Sequence, residues 1–372
     1  KLDEYDQFIS GAQQFDVYKS LIEAKNIAVV ANQASMAGDE HLIDFLLKKG
    51  VSISRVFSPE HGFRGKASAG EKVDNKTDSK TGLQIISLYG SHKKPSPADL
   101  ENIDLVIFDL QDVGVRFYTY ISTLTYVMEA CAENDISLII LDRPNPNGFY
   151  IDGPVLQEDY KSFVGMHKVP VVYGMTIGEY GKMVNGEEWL EGNVKCDLHI
   201  VPMQNYKHNY LVKLPIRPSP NLPNWKSVYL YPSLCFFEGT VVSAGRGTDY
   251  PFQTYGHPQL MFGSFIFTPE SKPGAKYPKF EGQACNGQFL SGYAENYAHN
   301  DSELNLLWLI ESYKALNSKD IEFFNDYFNT LAGNDKLRKH IEEGWTEEKI
   351  KQSWKKEIDE FKKIRKNYLI YD

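Results

Sequence analysis

Charged side chains follow three apolar stretches in the first half of the chain, each among residues that favour turns. In chain order they are Glu60, His61 and Arg64, then Asp109, Asp112 and Arg116, and then Asp142 and Arg143. A carboxyl group in such a place can act as a general acid, and a guanidinium can bind an anionic group. The carboxyl ends of the strands of an open parallel sheet share one edge, where ligands bind. The three clusters therefore predict one shared site.

Glu60 is the strongest candidate for proton transfer, because it lies in a turn between Pro59 and Gly62. Aromatic neighbours such as Phe63 would raise the pKa of its carboxyl toward neutrality, as a general acid requires. The alternative is a glutamate that accepts backbone hydrogen bonds and only fixes the turn. We favour the functional interpretation because the other strand ends carry similar clusters. No spacing supplies the further ligands that a metal bound by Glu60 and His61 would need, so we predict no metal.

The second cluster combines Asp109, Asp112 and Arg116 with two aromatic residues, Tyr118 and Tyr120. A sugar ring offers apolar C–H faces and a rim of hydroxyl groups, so aromatic faces beside carboxylates suit its binding. Two structural alternatives stay open. The tyrosines can pack the helix that follows, and Arg116 can form a salt bridge with Asp112 four residues before it.

Two further clusters add charge to the predicted site. Asp142 and Arg143 precede prolines and asparagines typical of a turn, and we expect the two side chains to brace each other and the site. In the second half, Glu238 follows two phenylalanines and Arg246 lies between two glycines, which allow a backbone to approach a ligand closely. The chain contains neither a GxGxxG fingerprint nor a P-loop, so we expect no nucleotide cofactor.

Residues 174–178 imitate a nucleophile elbow, with Thr176 in the place of the serine. Thr176 and Glu179 also form a capping box at the start of a helix, which accounts for both residues without catalysis. We favour the cap. Tyr173, immediately before this segment, is a candidate for the wall of the site.

Strand-like and helix-like segments alternate along the first half of the chain. We predict strands at 27–31, 52–57, 84–88, 104–108, 137–141 and 196–201, with helices at 41–49, 119–133 and 176–184. This alternation indicates βαβ units and a Rossmann-like parallel sheet. A proline-rich stretch at 214–225 is the predicted boundary, giving an α/β domain over residues 1–225 and a smaller α+β domain over 226–372. In the second domain we predict short strands at 239–243 and 265–268 and two helices, capped by Asp301 or Ser302 and by Thr346.

Composition excludes several classes of protein. A chain of 372 residues, 42% of them hydrophobic, exceeds what one core usually organises and suggests two domains. A formal net charge of −9 argues against a nucleic-acid groove. No apolar run approaches the roughly 18 residues of a membrane span, and no repeat or heptad array indicates an obligate protein partner. The four cysteines lack metal-type spacing and are predicted to be reduced core thiols.

Several of these segments together resemble the NamZ family of exo-β-N-acetylmuramidases. They are SPEHGFRG at 58–65, FDLQDVGVRFYTY at 108–120, LDRPNPNG at 141–148, FEGT at 237–240 and GRGT at 245–248. The resemblance extends from about residue 27 to 371. It implies a Rossmann-like domain and a smaller C-terminal domain with the active site in the cleft between them. It also implies an exported enzyme, periplasmic or extracellular, that releases N-acetylmuramic acid from the non-reducing ends of peptidoglycan fragments.

The resemblance makes Glu60 the expected catalytic acid or acid/base and Glu238 the second glutamate near the cleft. Glycoside cleavage needs one protonated carboxyl and a second group that stabilises or attacks the anomeric carbon, and the acetamido group of the substrate is an alternative for the second role. Muramic acid carries a lactyl carboxylate that glucosamine lacks. One of the arginines at 64, 116, 143 and 246 is expected to bind it, with Arg64 and Arg246 favoured.

Two other functions stay open from the sequence. The first is a serine- or threonine-dependent esterase or amidase acting on cell-wall material, suggested by residues 174–178. The second is a non-catalytic module in which the clustered acids and arginines only hold a saccharide or peptide. Failure of a serine-directed phosphonate to label the protein would remove the first alternative, and hydrolysis of a chromogenic N-acetylmuramide would decide between the second and a glycosidase.

Overall fold

The computed structural model describes residues 3–4, 8–59, 63, 76–298 and 300–372. Its strands are β1 (Asp3–Glu4), β2 (Asn26–Ala31), β3 (Met36–Ala37), β4 (Glu40–His41), β5 (Ser52–Ser58), β6 (Lys76–Thr77), β7 (Gln84–Ser87), β8 (Leu105–Asp109), β9 (Ser137–Leu141), β10 (Leu198–Val201), β11 (Tyr210–Leu211), β12 (Thr254–His257), β13 (Phe265–Phe267) and β14 (Cys285–Phe289). Its helices are α1 (Phe15–Ile22), α2 (Leu42–Lys48), α3 (Tyr120–Glu133), α4 (Ile177–Gly186), α5 (Trp225–Leu234), α6 (Ser291–Tyr297), α7 (Leu307–Asn317), α8 (Tyr327–Ala332), α9 (Lys336–Glu342) and α10 (Glu347–Arg365).

The main sheet has the order β10-β9-β8-β2-β5-β7-β6, and every neighbouring pair is parallel except β6 with β7. Strand β8 is buried along its whole length and β9 along all but its first residue, as expected for apolar strands covered on both faces. After β2, the chain adds β5 and β7 on one side of β2, and then β8, β9 and β10 on the other side. The direction in which strands are added therefore reverses between β2 and β8. Ligands of open α/β sheets bind at the carboxyl ends of the strands at such a point. The predicted α/β class with a parallel sheet is confirmed.

The C-terminal part is α+β, as predicted, with an antiparallel sheet in the order β12-β14-β13. The strand predicted at 265–268 is confirmed as β13, but the strand predicted at 239–243 is wrong. A 3-10 turn occupies Cys235–Gly239 instead, and only isolated bridges join Thr240 to Phe324 and Ser243 to Gly256. The glycine and aromatic residues of this region thus form a turn instead of a strand.

One of the two predicted helix caps in this domain is confirmed. Thr346 caps α10, and its Oγ1 accepts a hydrogen bond from the N–H of Lys349 at 3.3 Å. The predicted cap at Asp301 or Ser302 is wrong, because α7 begins only at Leu307. The N–H of Leu304 donates to Asp152 Oδ2 at 2.8 Å and that of Leu306 to Glu347 Oε1 at 2.7 Å. The two carboxylates thus satisfy backbone donors in the stretch that precedes α7.

The four cysteines bear out one simpler expectation. Cys131, Cys196, Cys235 and Cys285 are buried and unpaired, so the prediction of free core thiols is confirmed. Within the described ranges, no helix is both long enough and apolar enough to cross a membrane. The same part of the chain contains no group of three or more His, Cys, Asp or Glu side chains able to hold a metal ion.

Candidate active site

A cavity of about 500 Å³ is lined by residues from both sides of the predicted domain boundary, and we call it the central cavity. Its N-terminal wall includes the residues that follow strand β7 and the loop that leads into α3. Its C-terminal wall includes the 3-10 turn and the loop around Arg246. The aromatic residues that line it are Tyr89, Phe117, Tyr118, Tyr120, Phe163, Tyr231, Phe252 and Tyr327. Such a concave, aromatic space with a few charged groups is typical of a small-ligand site.

An ion pair between Glu238 and Arg246 lies in the C-terminal wall, with 3.1 Å between Glu238 Oε1 and Arg246 Nε. The Arg246 guanidinium also lies 5.1 Å from the centre of the Phe252 ring. Burial lowers the pKa of Arg246, but the charge and hydrogen bond of Glu238, together with Tyr231 and Cys235, raise the pKa above its ordinary value. The sequence predicted that both side chains belong to one site, and in the structure they are in contact.

The turn that carries Glu238 is fixed by a buried ammonium group. Lys279 Nζ donates to the carbonyl oxygens of Phe237 at 2.9 Å, Thr240 at 2.6 Å and Val242 at 3.1 Å. A side chain at Gly239 would place its Cβ 2.5 Å from the Cα of Phe328, so only glycine fits there. Lys279 was missed from the sequence, because nothing in its neighbourhood marks it as a partner of residues some forty positions away. The turn thus holds Glu238 in one position.

Tyr118 and Tyr120 form part of the N-terminal wall, as predicted, and also pack against each other with ring centres 4.8 Å apart. The hydroxyl of Tyr118 donates to the carbonyl oxygen of Pro218 at 3.0 Å. The hydroxyl of Tyr120 accepts from Asn32 Nδ2 at 2.9 Å, which links the start of α3 to the residue after β2. Burial raises the pKa of Tyr118 well above its ordinary value, so this hydroxyl stays a neutral donor. Both tyrosines therefore pack against neighbouring residues and also line the cavity, so both interpretations from the sequence hold.

Asp109 and Arg143 form a buried pair at the ends of β8 and β9. Arg143 donates through Nε to Asp109 Oδ1 at 2.5 Å and through Nη2 to Asp109 Oδ2 at 2.8 Å. Neither residue is among those that line the central cavity. The expected mutual bracing of Asp142 and Arg143 side chains is wrong, since the Arg143 guanidinium bridges to the end of β8 instead. Such a bidentate pair links the loops that follow β8 and β9.

Asp142 and Thr176 also contact only residues that hold the fold together, among those the structure describes. Asp142 Oδ2 accepts from the Thr176 hydroxyl at 2.7 Å and from the Tyr371 hydroxyl at 2.6 Å, and Oδ1 accepts from the N–H of Gly178 at 2.8 Å. Thr176 is fully buried and caps α4, with its capping box to Glu179 as predicted. The hydroxyl that an elbow nucleophile would need is therefore already engaged, away from the central cavity.

Arg116 is fully buried, and its guanidinium donates to four backbone carbonyl oxygens. Two belong to Pro154 and Val169, at 2.7 and 2.8 Å, and two to Leu331 and Ala332, at 3.2 and 2.7 Å. The alternative of a salt bridge to Asp112 is wrong. Burial lowers the pKa of Arg116 to about 9, so the group stays charged at neutral pH. This side chain ties the N-terminal domain to α8.

Asp112 and Tyr173 form a second buried contact, and neither residue lines the central cavity. Asp112 Oδ2 accepts from the N–H of Gly114 at 2.9 Å and from the hydroxyl of Tyr173. Tyr173 is fully buried and is not among the lining residues. Burial raises the pKa of Asp112 to about 6, with its hydrogen bonds to Tyr173 and Gly114 opposing the shift.

The raised pKa of Asp112 predicts a pH-dependent stability. An unfolded aspartate titrates near about pH 4, so between roughly pH 4 and 6 the folded state holds a proton that the unfolded state has lost. The contribution of the Asp112 carboxyl to the free energy of unfolding therefore falls as pH rises through that window. In Asp112→Asn the group stays neutral, and its amide oxygen can still accept from Gly114 and Tyr173. The free energy of unfolding of the variant relative to the native protein should rise by about 2 kcal/mol from pH 4.5 to pH 7.5.

Urea unfolding of both proteins at the two pH values measures this difference. Both proteins retain Asp142, whose pKa burial also raises to about 6. The effect of Asp142 therefore cancels, and the difference between the two proteins reports on position 112. Parallel pH profiles for the two proteins would contradict the prediction.

Lys93 is a cavity residue that the sequence prediction missed. Its Nζ lies 4.7 Å from the centre of the Phe163 ring, and both residues line the central cavity. Among the described lining residues, Lys93 and Arg246 carry the positive charges. Lys93 follows a His and precedes another Lys in an exposed-looking loop, so only the tertiary structure shows which of these side chains faces the cavity.

Glu60, His61 and Arg64 lie outside the described residues, and their predicted roles stay predictions. The strand before them is described. Ser58, the last residue of β5, pairs with Ser87 of β7, and its carbonyl oxygen accepts from the N–H of Leu88 at 2.7 Å. Tyr89 follows directly and lines the central cavity. Strand β5 therefore ends at the sheet edge that borders the cavity, two positions before Glu60.

Comparisons with known proteins point to one family over nearly the whole chain. The family models described as exo-beta-N-acetylmuramidase NamZ, N-terminal and C-terminal, match residues 27–226 and 229–371. The peptidoglycan beta-N-acetylmuramidase NamZ of Bacillus subtilis (strain 168) is 38% identical over 373 residues, covering 95% of this chain and 89% of that protein.

Two crystal structures of DUF1343 family proteins from Bacteroides fragilis NCTC 9343 have the same architecture. One is 46% identical with a TM-score of 0.91 and covers 99% of each chain. The other is 28% identical with a TM-score of 0.81 and covers 98% of this chain and 99% of its own. The two-part fold is thus shared over its full length.

Proposed function

This chain belongs to the NamZ family of exo-β-N-acetylmuramidases, and we propose that it is a glycosidase that releases N-acetylmuramic acid from the non-reducing ends of peptidoglycan fragments. The observation in the structure that carries the proposal is the central cavity. It combines a carboxylate, a guanidinium and several aromatic faces in a volume of about 500 Å³. A monosaccharide unit with an anionic substituent fits this chemistry.

The two glutamates take different roles in the proposed reaction. Glu60 protonates the glycosidic oxygen as the bond between that oxygen and the anomeric carbon breaks. Glu238 lies in the wall of the central cavity, 3.1 Å from Arg246. A carboxylate there can stabilise the positive charge that develops at the anomeric carbon, attack that carbon or activate water. The acetamido group of the substrate remains the alternative for direct attack.

The aromatic residues of the cavity hold the sugar ring for this chemistry. Tyr118 and Tyr120 line the cavity from the N-terminal domain, and Tyr231 and Phe252 line it from the C-terminal domain. Because residues of both domains contribute, the relative position of the domains sets the geometry at the anomeric carbon.

Product analysis tests the proposal directly. The protein is incubated with the disaccharide in which N-acetylmuramic acid is linked to N-acetylglucosamine, and with the reversed disaccharide. Release of free N-acetylmuramic acid from the first alone supports the proposal. Labelling by a serine-directed phosphonate with loss of activity would favour the esterase or amidase, and binding without any product would favour a non-catalytic module.

Selection of muramic acid over glucosamine requires a cation for the lactyl carboxylate. Arg246 was favoured from the sequence, but it is already paired with Glu238. Lys93 has no carboxylate partner among the described residues, so its ammonium is available. We therefore expect Lys93→Gln to lower kcat/KM for a nitrophenyl N-acetylmuramide by roughly tenfold and leave the glucosaminide rate unchanged.

Lys93→Arg keeps the positive charge and should retain most of the selectivity. Arg246→Lys is the companion variant, since it keeps a charge beside Glu238. An equal loss of both substrates in Lys93→Gln would show that this ammonium does not bind the lactyl group. Arg64, which lies outside the described residues, would then be the next candidate.

We also propose that the protein is exported and acts in cell-wall recycling, in the periplasm or outside the cell. The support is the substrate, because peptidoglycan is assembled outside the cytoplasmic membrane. Cell fractionation followed by immunodetection tests this placement. Recovery of the protein in the cytoplasmic fraction alone would contradict it.

A further inference from the structure

A second cavity, of about 650 Å³, adjoins the central one, and we call it the outer cavity. Lys93 and Phe163 line both cavities. The two spaces therefore meet at the Phe163 ring, with the Lys93 ammonium above it. A ligand that fills the central cavity and extends past this ring enters the outer cavity.

Aromatic rings with fixed orientations line the outer cavity. Tyr126 stacks on Phe163 with an interplanar angle of 11° and ring centres 6.1 Å apart. Trp189 stacks on His167 at 22° and 5.4 Å. The His167 ring is held by a contact of 3.0 Å between its Nε2 and the hydroxyl of Thr125. Burial lowers the pKa of His167 to about 3, so it supports Trp189 as a neutral ring.

The charged residues of the outer cavity are largely paired with one another or with neighbours. Glu158 pairs with Lys161 at 2.9 Å, and Glu129 with Lys94 at 3.2 Å. Glu129 also accepts from the N–H of Glu191 at 3.0 Å. The lining carries both signs, without a single-sign field that would select an anion or a cation. Aromatic faces among paired charges suit a neutral, hydroxyl-rich ring.

We propose that the outer cavity binds the neutral sugar residue next to the scissile bond on its leaving-group side. This inference rests on the proposed function, with the muramic acid unit in the central cavity. Phe163 then marks the passage from the sugar that is released to the sugar that follows it. The outer cavity thereby favours substrates with a sugar leaving group over substrates with a small aglycone, without any change in the residues that perform the chemistry.

The test compares substrates that differ only on the leaving-group side. Tyr126→Ala should leave kcat/KM for a nitrophenyl N-acetylmuramide within about twofold of the native value, because that substrate does not extend past Phe163. For a tetrasaccharide with muramic acid at its non-reducing end, kcat/KM should fall by between about threefold and tenfold, the loss of one stacking contact. Trp189→Leu should show the same pattern.

Tyr277→Ala is the matched control, since Tyr277 is 83% exposed and lines neither cavity. It should leave both substrates unchanged. Equal losses on both substrates in Tyr126→Ala, or none on the tetrasaccharide, would overturn the inference. A loss seen only with substrates that carry stem peptides would assign the cavity to the peptide, which also overturns it.

Failure of the native protein to cleave any of these substrates would contradict the proposed function instead. Calorimetric titration of the tetrasaccharide into Glu60→Gln then still tests the outer cavity. In that background, added Tyr126→Ala should weaken binding by a similar factor. Unchanged affinity would overturn the inference independently of activity.

Discussion

Glu60→Gln is expected to lower kcat/KM for the muramyl-glucosamine disaccharide by about 10²–10⁴, because the carboxamide cannot give a proton to the leaving oxygen. The loss should be smaller for a nitrophenyl N-acetylmuramide, since nitrophenolate leaves without protonation. Glu238→Gln should instead slow both substrates, because its carboxylate acts at the anomeric carbon whatever the leaving group. Steady-state kinetics on the two substrates therefore separates the two roles.

Two controls accompany this comparison. Glu101→Gln changes an exposed glutamate of the same domain that lines neither cavity, and it should leave both rates unchanged. Circular dichroism should show the native fold for all three variants. Full activity of Glu60→Gln on the disaccharide would show that Glu60 is not the acid. If both variants lost activity to the same extent on the two substrates, the two glutamates would not have the separate roles assigned here.

The parallel sheet could be predicted because its strands are apolar runs that stop at turn formers. The strand predicted at 137–141 has the same bounds as β9, and the helix predicted at 119–133 begins within one residue of α3. Strands β12 and β14 were missed. Their sequences, TYGH and CNGQF, lack the apolar alternation of a strand, and they form strands by pairing in the sheet, β12 with β14 and β14 also with β13.

The candidate site was harder to predict, because supporting and cavity-lining residues use the same chemistry. Asp109 and Arg143 lie at the ends of two strands, as ligand-binding residues would, yet they pair with each other and do not line the cavity. Glu238 and Arg246 have no stronger signal in the sequence, and they line it. Charge type and spacing locate the sheet edge, but the direction of each side chain depends on contacts with the second domain. Lys93 was missed for the same reason.

Arg116 provides the largest expected effect on stability. Arg116→Met keeps much of the side-chain volume but removes every donor to the carbonyl oxygens of Pro154, Val169, Leu331 and Ala332. Buried acceptors without donors are costly, and we expect a loss of roughly 3–5 kcal/mol in the free energy of unfolding. Arg116→Lys should recover little, because one ammonium cannot take the place of a planar fork. Urea unfolding followed by tryptophan fluorescence measures both variants.

Arg338→Met is the matched control, since Arg338 forms a partly exposed ion pair with Glu342 at 2.8 Å and should cost less than about 1 kcal/mol. The position of Arg116 also predicts how the native protein unfolds. Its two pairs of acceptors lie 53 or fewer and 215 or more residues away in sequence, so it couples the two domains. Unfolding in one transition that becomes two in Arg116→Met would show this coupling. A variant as stable as Arg338→Met would mean that water replaces the guanidinium, and that the domains are held together by their apolar contacts.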